Sequence, residues 1–271
     1  MKKFLVALTL FSLIICSTSM IAFGLNVVEP VQVNYKNGIY HIIIDGKREA
    51  KNIRFISSEK LITNSEAHNM SGSRLTINAG FFDPKNQKTI SYIVTDRNTV
   101  ADPLLNENLF LNPTLRLHME QILNRTEFRQ VECNGRYHYE IVPHKTPVDF
   151  PCNIVTSAQG GPLILPELKL EDEFFVLKQD GKVVRESASV LEKTARTIIG
   201  LKGDEIHILI ITDKNPKNMY EVQKMCEDLG LERAMGFDGG SSTSLNYKKS
   251  IKVVSTSSAS GRMLKSFMLL K

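Results

Sequence analysis

The chain has 271 residues, a formal net charge of +5 and no tryptophan; hydrophobic residues make up 42 % and charged residues 23 %. These are ordinary globular proportions, which exclude an intrinsically disordered chain and leave enough length to bury a core. The positive charge is spread along the chain, with no run of Lys and Arg interleaved with aromatics, which argues against nucleic acid as a partner.

At the N-terminus, Lys2 and Lys3 precede an apolar run over residues 4–16, followed by Ser17, Thr18 and Ser19. A basic start, a short apolar stretch and small residues predict a signal peptide over residues 1–24 and a mature domain over residues 25–271, exported as a secreted or periplasmic protein. Apolar residues resume from Met20 to Leu25, so an uncleaved membrane anchor over residues 4–25 is the alternative. No later segment is long and apolar enough to cross a bilayer, so the mature chain is expected to have no membrane span. Cys16 follows the bulky Ile15, which argues against lipidation. Export leaves Cys133, Cys152 and Cys226. In an oxidising compartment Cys133 and Cys152, close in sequence and flanking a predicted hairpin, are the expected disulfide. Cys226 falls on the apolar face of a helix, and no cysteine has zinc-site spacing.

Strands dominate the first half. Residues 31–36 and 39–44 are β-rich runs joined by Asn37-Gly38, a dipeptide that accepts the positive φ angles of a two-residue hairpin. The segment 101–127 reads as helical around residues 115–123 or as a long excursion over the active face. Asn134-Gly135 joins residues 129–133 to 137–142, Asp180-Gly181 joins 174–178 to 182–185, and Lys202-Gly203-Asp204 joins 197–201 to 206–212. One helix follows, capped by Asn215 with Pro216 at its first position; Met219, Val222, Cys226 and Leu229 form its apolar stripe and Gly230 ends it. With no linker and no repeat, the pattern predicts a single α+β domain, a large mixed or antiparallel sheet with a few covering helices.

Four short segments place glycine beside polar residues near strand ends: residues 76–83, 157–163, 195–200 and 236–243. Each alone has a bland reading. Gly-Gly is a common turn, Phe81 and Phe82 read as core, and Arg196 before a strand reads as a solvated charge. Together they hold the parts for a sugar phosphate. Gly239, Gly240, Ser241 and Ser242 could form a nest of amide and hydroxyl donors for phosphate oxygens, and Arg196 a bidentate, permanently charged contact. Asp238 supplies a carboxylate, and the amides of Asn78 and Gln159 suit sugar hydroxyls or an acyl group.

The order Asn78-Ala79-Gly80-Phe81-Phe82, Gln159-Gly160-Gly161-Pro162, Arg196-Thr197 with Gly200, and Asp238-Gly239-Gly240-Ser241-Ser242 resembles the phosphodiester glycosidase family over residues 75–271, including Gly261-Arg262 before the last strand. The resemblance implies a hydrolase cutting the sugar C1–O bond of a sugar-1-phosphodiester, with an N-acetylhexosamine as the sugar. It places Asp238 and Arg196 as catalytic residues. Asn78, Gly80, Gln159, Gly160, Gly161, Gly239, Gly240, Ser241, Ser242 and Arg262 then contact the substrate. No cofactor is implied, and the scattered histidines and acids suggest no metal site. The sequence departs from the family pattern at Ala79 and at Lys217-Asn218-Met219, where a change would alter the sugar or aglycone accepted. A phosphodiester is a weakly basic leaving group, so one carboxylate, Asp238, could suffice as base, nucleophile or stabiliser of an oxocarbenium-like transition state. Asp83 and Asp213 are the candidates for a second carboxylate, each also readable as a turn residue. The rival readings are a non-catalytic cell-envelope protein that binds a glycan phosphate, and a hydrolase cutting P–O instead of C–O.

Overall fold

The computed structural model describes residues 29–271. The predicted signal peptide or anchor lies outside the described residues. The expected α+β class is what the structure shows, with the strands divided among three sheets and a two-stranded ribbon. Every strand pairing is antiparallel.

The first sheet has the order Val31–Lys36, Ile39–Asp45, Glu205–Ile211, Arg196–Lys202, Arg233–Gly236, Leu163–Leu165. The second runs Ile251–Val254, Ser244–Tyr247, Leu75–Asn78, Met263–Leu270, Ile53–Thr63. The third runs Asn98–Ala101, Ile93–Thr95, Asn153–Gln159, Thr126–Cys133, Arg136–Pro143. The Asn-Gly and Asp-Gly turns fold as read: Asn37, Asn134 and Asp180 take positive φ beside their glycines. A further two-residue turn, Asp96-Arg97, takes the same conformation without glycine, so no glycine signal marks it in the sequence.

One core joins the three sheets. Ile44 and Ile208 of the first sheet, Ile77 and Met268 of the second, and Phe128 and Ala158 of the third pack into a single buried cluster. Burying a side chain such as Ile or Phe stabilises by roughly 1.5–3 kcal/mol, and this shared cluster is what makes one domain of three sheets. The two faces of the central strands separate by alternation. Ile206, Ile208 and Ile210 face the shared core, while Leu209 and Ile211 face a second cluster under the helix Met219–Asp228. A shorter helix, Asn64–Ser71, covers the second sheet through Ala67 against Phe267 and Leu269.

The helix Met219–Asp228 begins later than its expected cap. Asn218, not Asn215, accepts from the Glu221 amide, and Glu221 reaches back to the Asn218 amide, a complete capping box. Asn215 is instead tied to the first hairpin, donating to the Asn37 carbonyl at 2.9 Å. Cys226 is buried and unbridged on the helix's inner face, and burial pushes its thiol up to about 12. Cys133 and Cys152 form the disulfide. Closing the loop between them contributes on the order of 3 kcal/mol.

Candidate functional site

The four glycine-bearing segments meet at the ends of strands from all three sheets. Asn78 closes Leu75–Asn78, Gln159 closes Asn153–Gln159, Arg196 opens Arg196–Lys202, and Asp238 lies two residues beyond Arg233–Gly236. Backbone hydrogen bonds tie them together: Gly161 N–H to Gly236 O at 2.8 Å, Phe237 N–H to Thr197 O at 2.8 Å, Asp238 N–H to Ala79 O at 3.0 Å and Gly240 N–H to Ala195 O at 2.8 Å.

Several residues expected to face a ligand turn out to build this junction instead. Asn78 is buried; its amide donates to the Asp238 carbonyl at 2.5 Å, and its Oδ1 accepts from Thr197 Oγ1 at 2.7 Å and from the Ser244 amide at 3.0 Å. Gln159 is equally buried and donates to the carbonyls of Leu123 and Arg125 at 3.0 and 3.3 Å. Both buried amides spend most of their hydrogen-bonding capacity inside the protein. Gly80, Gly160 and Gly161 are small because of packing. A β-carbon on Gly80 would sit 2.6 Å from Ser91 Cβ, one on Gly160 2.5 Å from the Gly236 carbonyl, and one on Gly161 against Glu173.

Arg196 stands in a different setting from the solvated charge the sequence suggests. Its guanidinium is buried and donates to four carbonyls: Lys217 at 2.9 Å, Ala188 at 3.1 Å, Ser189 at 2.6 Å and Glu192 at 2.7 Å. These bonds hold the loop that carries Ala188 and Ser189, both at positive φ. With four of its five N–H donors on these carbonyls, Arg196 braces this loop. The Lys217-Asn218-Met219 departure is part of the same brace, through the Lys217 carbonyl.

Beside the junction opens a cleft of about 250 Å³. Asp238 is the carboxylate among the described residues that line it. Burial pushes the Asp238 carboxyl up to about 6; the Ser242 hydroxyl, the Arg262 charge and the Gly239 amide pull it back toward the ionised form. Ser242 Oγ has no hydrogen bond of complete geometry, yet it lies close enough to Asp238 to exert that pull. Gly240 takes φ +56° at the start of a single turn, Gly240–Ser242. Ser241, exposed next to it, accepts from Arg262 Nη1 at 2.6 Å, and the Arg262 guanidinium lies over the Phe82 ring at 5.3 Å. Asp238, Gly239, Gly240, Ser241 and Arg262 are thus the predicted residues brought together at an accessible place.

The rest of the lining went unread in the sequence. Arg125, Phe175, Arg185 and Ser187 face the cleft. The segment after Ala101 forms a 3-10 turn, Pro103–Leu105, and three short α-helices, Glu107–Leu111, Pro113–Arg116 and Met119–Leu123, whose Leu109, Leu115 and Ile122 line the cleft. It is therefore both partly helical and an excursion over the site. Phe81 and Phe82, read as core, line the cleft too. Arg125 carries one local hint: Arg125-Thr126 opens a strand as Arg196-Thr197 does. Asp83 is a turn residue, accepting from the Lys85 amide at 2.8 Å and from Asn108 Nδ2 at 2.9 Å. Asp213 lines a separate surface depression with Tyr35 and Tyr40. Among the described residues no three His, Cys, Asp or Glu are grouped to hold a metal ion, and no helix is long and apolar enough to cross a membrane.

The strand junction and the cleft, with Asp238 as its lining carboxylate among the described residues, stand on a three-sheet α+β scaffold. The chain belongs to the phosphodiester glycosidase family, whose model matches residues 71–270. Among solved structures it is similar to the zebrafish N-acetylglucosamine-1-phosphodiester alpha-N-acetylglucosaminidase catalytic domain auto-inhibited by pro-peptide, with a TM-score of 0.63 at 13 % identity over 89 % of this chain and 81 % of that one. A candidate exported protein from Burkholderia pseudomallei K96243 gives 0.60 at 13 % identity over 86 % and 73 %. A hypothetical protein from Synechocystis gives 0.50 at 12 % identity over 90 % and 64 %. At these identities the likeness is one of fold. No curated protein sequence matches the chain.

Proposed function

We propose that the chain is an exported hydrolase that cuts the C1–O bond of a sugar-1-phosphodiester, with an N-acetylhexosamine as the sugar. The observation that carries this reading is Asp238, a carboxyl that lines the cleft with its pKa raised to about 6 by burial and faces the Arg262 charge. A protein that only bound a glycan phosphate would gain nothing from a carboxylate there, because it repels the ligand. A catalyst gains a group whose pKa lies close to the working pH.

In this mechanism the Gly240 amide holds its turn to the Ala195 carbonyl and the Gly239 amide supports Asp238, while Arg262 and the Ser241 hydroxyl take the phosphodiester oxygens. They stabilise the charge that grows on the departing oxygen, so no acid is needed to protonate it. Ionised Asp238 acts on the other partner. It accepts a proton from the water that attacks C1, or it attacks C1 itself before water releases the sugar. The C1–O bond breaks, its electron pair leaves with the phosphomonoester, and the sugar departs with a free reducing end. Arg196 keeps the loop around Ala188 in place and acts only through it. The Cys133–Cys152 disulfide supports export to an oxidising compartment.

The test is hydrolysis of the ethyl phosphodiester of N-acetylglucosamine-1-phosphate in ¹⁸O-water. The reading predicts free N-acetylglucosamine carrying the label and an unlabelled phosphomonoester. Label in the phosphate would mean P–O cleavage, and tight binding without product would mean a binding protein.

A further inference from the structure

Arg125 and Arg185 share the cleft with Asp238 but stand apart from it: Arg262 is the cation that bears on the Asp238 charge, and neither of the other two does. The pair is built around one acceptor. Arg125 Nη2 donates to the Phe174 carbonyl at 3.2 Å and Arg185 Nη1 to the same oxygen at 3.1 Å. Each guanidinium also rests on an aromatic face, Arg125 on Phe175 at 4.0 Å and Arg185 on Phe174 at 4.3 Å. Phe174 presents this carbonyl from φ +55°, a conformation that a bulky residue adopts only under constraint and one typical of functional sites.

Two like charges are drawn onto one oxygen; burial lowers the pKa of both guanidiniums, and the Arg185 charge adds to this at Arg125. Neither arginine is in an ion pair among the described residues. The nearby carboxyl, Glu173, already accepts from the Thr126 hydroxyl at 2.6 Å, the Thr126 amide at 3.3 Å and the Leu163 amide at 2.9 Å, and burial raises its pKa. It favours the charge of Arg125 but does not bear on Arg185, so it does not cancel two guanidiniums. Arg125 places Nε on the Glu173 carbonyl and Nη2 on that of Phe174, which leaves Nη1 with no hydrogen bond to the described residues.

A single phosphodiester brings one negative charge, which Arg262 meets. We infer that Arg125 and Arg185 form a second anion subsite, and that the substrate carries an additional phosphate or carboxylate away from the scissile phosphodiester. This rests on the hydrolase reading and names the substrate class within it. The fork geometry of two guanidiniums suits a planar or tetrahedral oxyanion, and the flanking Phe81 and Phe175 rings dry the site, which strengthens each contact.

Three N-acetylglucosamine-1-phosphodiesters test it: one with an ethyl aglycone, one with a 2-phosphoethyl aglycone, and one with an ethyl aglycone and a phosphate on the sugar's 6-hydroxyl. Wild-type protein should prefer one of the doubly acidic substrates about tenfold or more in kcat/KM, mainly through KM. The substrate preferred tells whether the acid belongs to aglycone or sugar. Arg185→Gln should lower the ratio of acidic to ethyl substrate about tenfold. A wild-type protein indifferent to the second acid, or a preference that survives Arg185→Gln, overturns the subsite. If none of the three is hydrolysed, the hydrolase reading fails instead. Calorimetry with inorganic pyrophosphate then tests the subsite alone: Arg185→Gln must weaken binding about tenfold, and equal affinities refute it.

Discussion

Two glycine pairs end strands at the same junction, and they do opposite work. Gly160-Gly161 follows Asn153–Gln159 and is packed shut: a β-carbon on Gly160 would strike the Gly236 carbonyl at 2.5 Å. Gly239-Gly240 follows Arg233–Gly236 and is open at its second position, where a β-carbon on Gly240 would meet only Thr194 Oγ1, at 3.4 Å. The same contrast separates Arg196, sealed onto four carbonyls, from Arg262, which reaches over Phe82 to Ser241. One half of the recognisable motif set is packed as scaffold, and the other half is the site of the function proposed above. The scaffold groups bond mainly inside the protein, whereas Asp238 lines the cleft and Ser241 and Arg262 are accessible beside it.

The comparison breaks most visibly in stability. Gly160→Ala should cost about 3 kcal/mol or more, because backbone on both sides of the contact must move, and should yield little soluble protein. Gly240→Ala meets open space and only the strain of its φ, about 1 kcal/mol, so it should fold. Thermal unfolding of the two variants checks this, and similar losses would erase the distinction drawn between the two turns.

The arginines sharpen it. Arg196→Ala strands buried carbonyls and should lower stability by about 2–3 kcal/mol, with activity lost in proportion to loop order. Arg262→Ala should leave the unfolding temperature nearly unchanged while kcat/KM falls about 10–100-fold. If Arg196→Ala instead unfolds like wild type and loses substrate affinity, the guanidinium faces the phosphate after all.

Most of the scaffold was legible in the sequence because it depends on neighbours in the chain. Asn37-Gly38, Asn134-Gly135 and Asp180-Gly181 each fix a turn by local conformational preference, and the runs around Ile198 and Ile208 are apolar on both faces because both faces are buried. The helix cap slipped by three residues because two Asn residues stand near its start, and only Asn218 has a glutamate three positions on. The site was half legible. Asp238 and its turn announce themselves, but nothing local tells a packing glycine from a ligand-facing one, or a satisfied Asn78 from a free one. Arg125, Phe175 and Arg185 were missed because they come from separate elements and meet only in the folded chain.

A smaller effect concerns Asp238 in the resting protein. Its folded pKa of about 6 stands above the usual carboxyl value of 3.8, so between those values the native state holds a proton that the unfolded state has lost. Stability therefore falls as pH rises through that window and stays lower above it. Asp238→Asn removes the burden. It should be more stable than wild type by about 1–2 kcal/mol above pH 6, with the gap closing below pH 4. Denaturant midpoints at pH 3.5 and pH 7.5 measure it, and a variant less stable at pH 7.5 would contradict the burial of the charge.

The most direct measurement is the pH dependence of kcat/KM on an N-acetylglucosamine-1-phosphodiester, for wild type and Asp238→Asn side by side. With ionised Asp238 acting as base or nucleophile, wild-type activity should rise with pH to a plateau through an apparent pKa near 6. The variant, folded and able to bind substrate, should fall about 10²–10⁴-fold on the plateau and lose that titration. Activity that declines above pH 6 would make Asp238 an acid, and a variant with near-normal turnover and the same profile would remove it from the chemistry altogether.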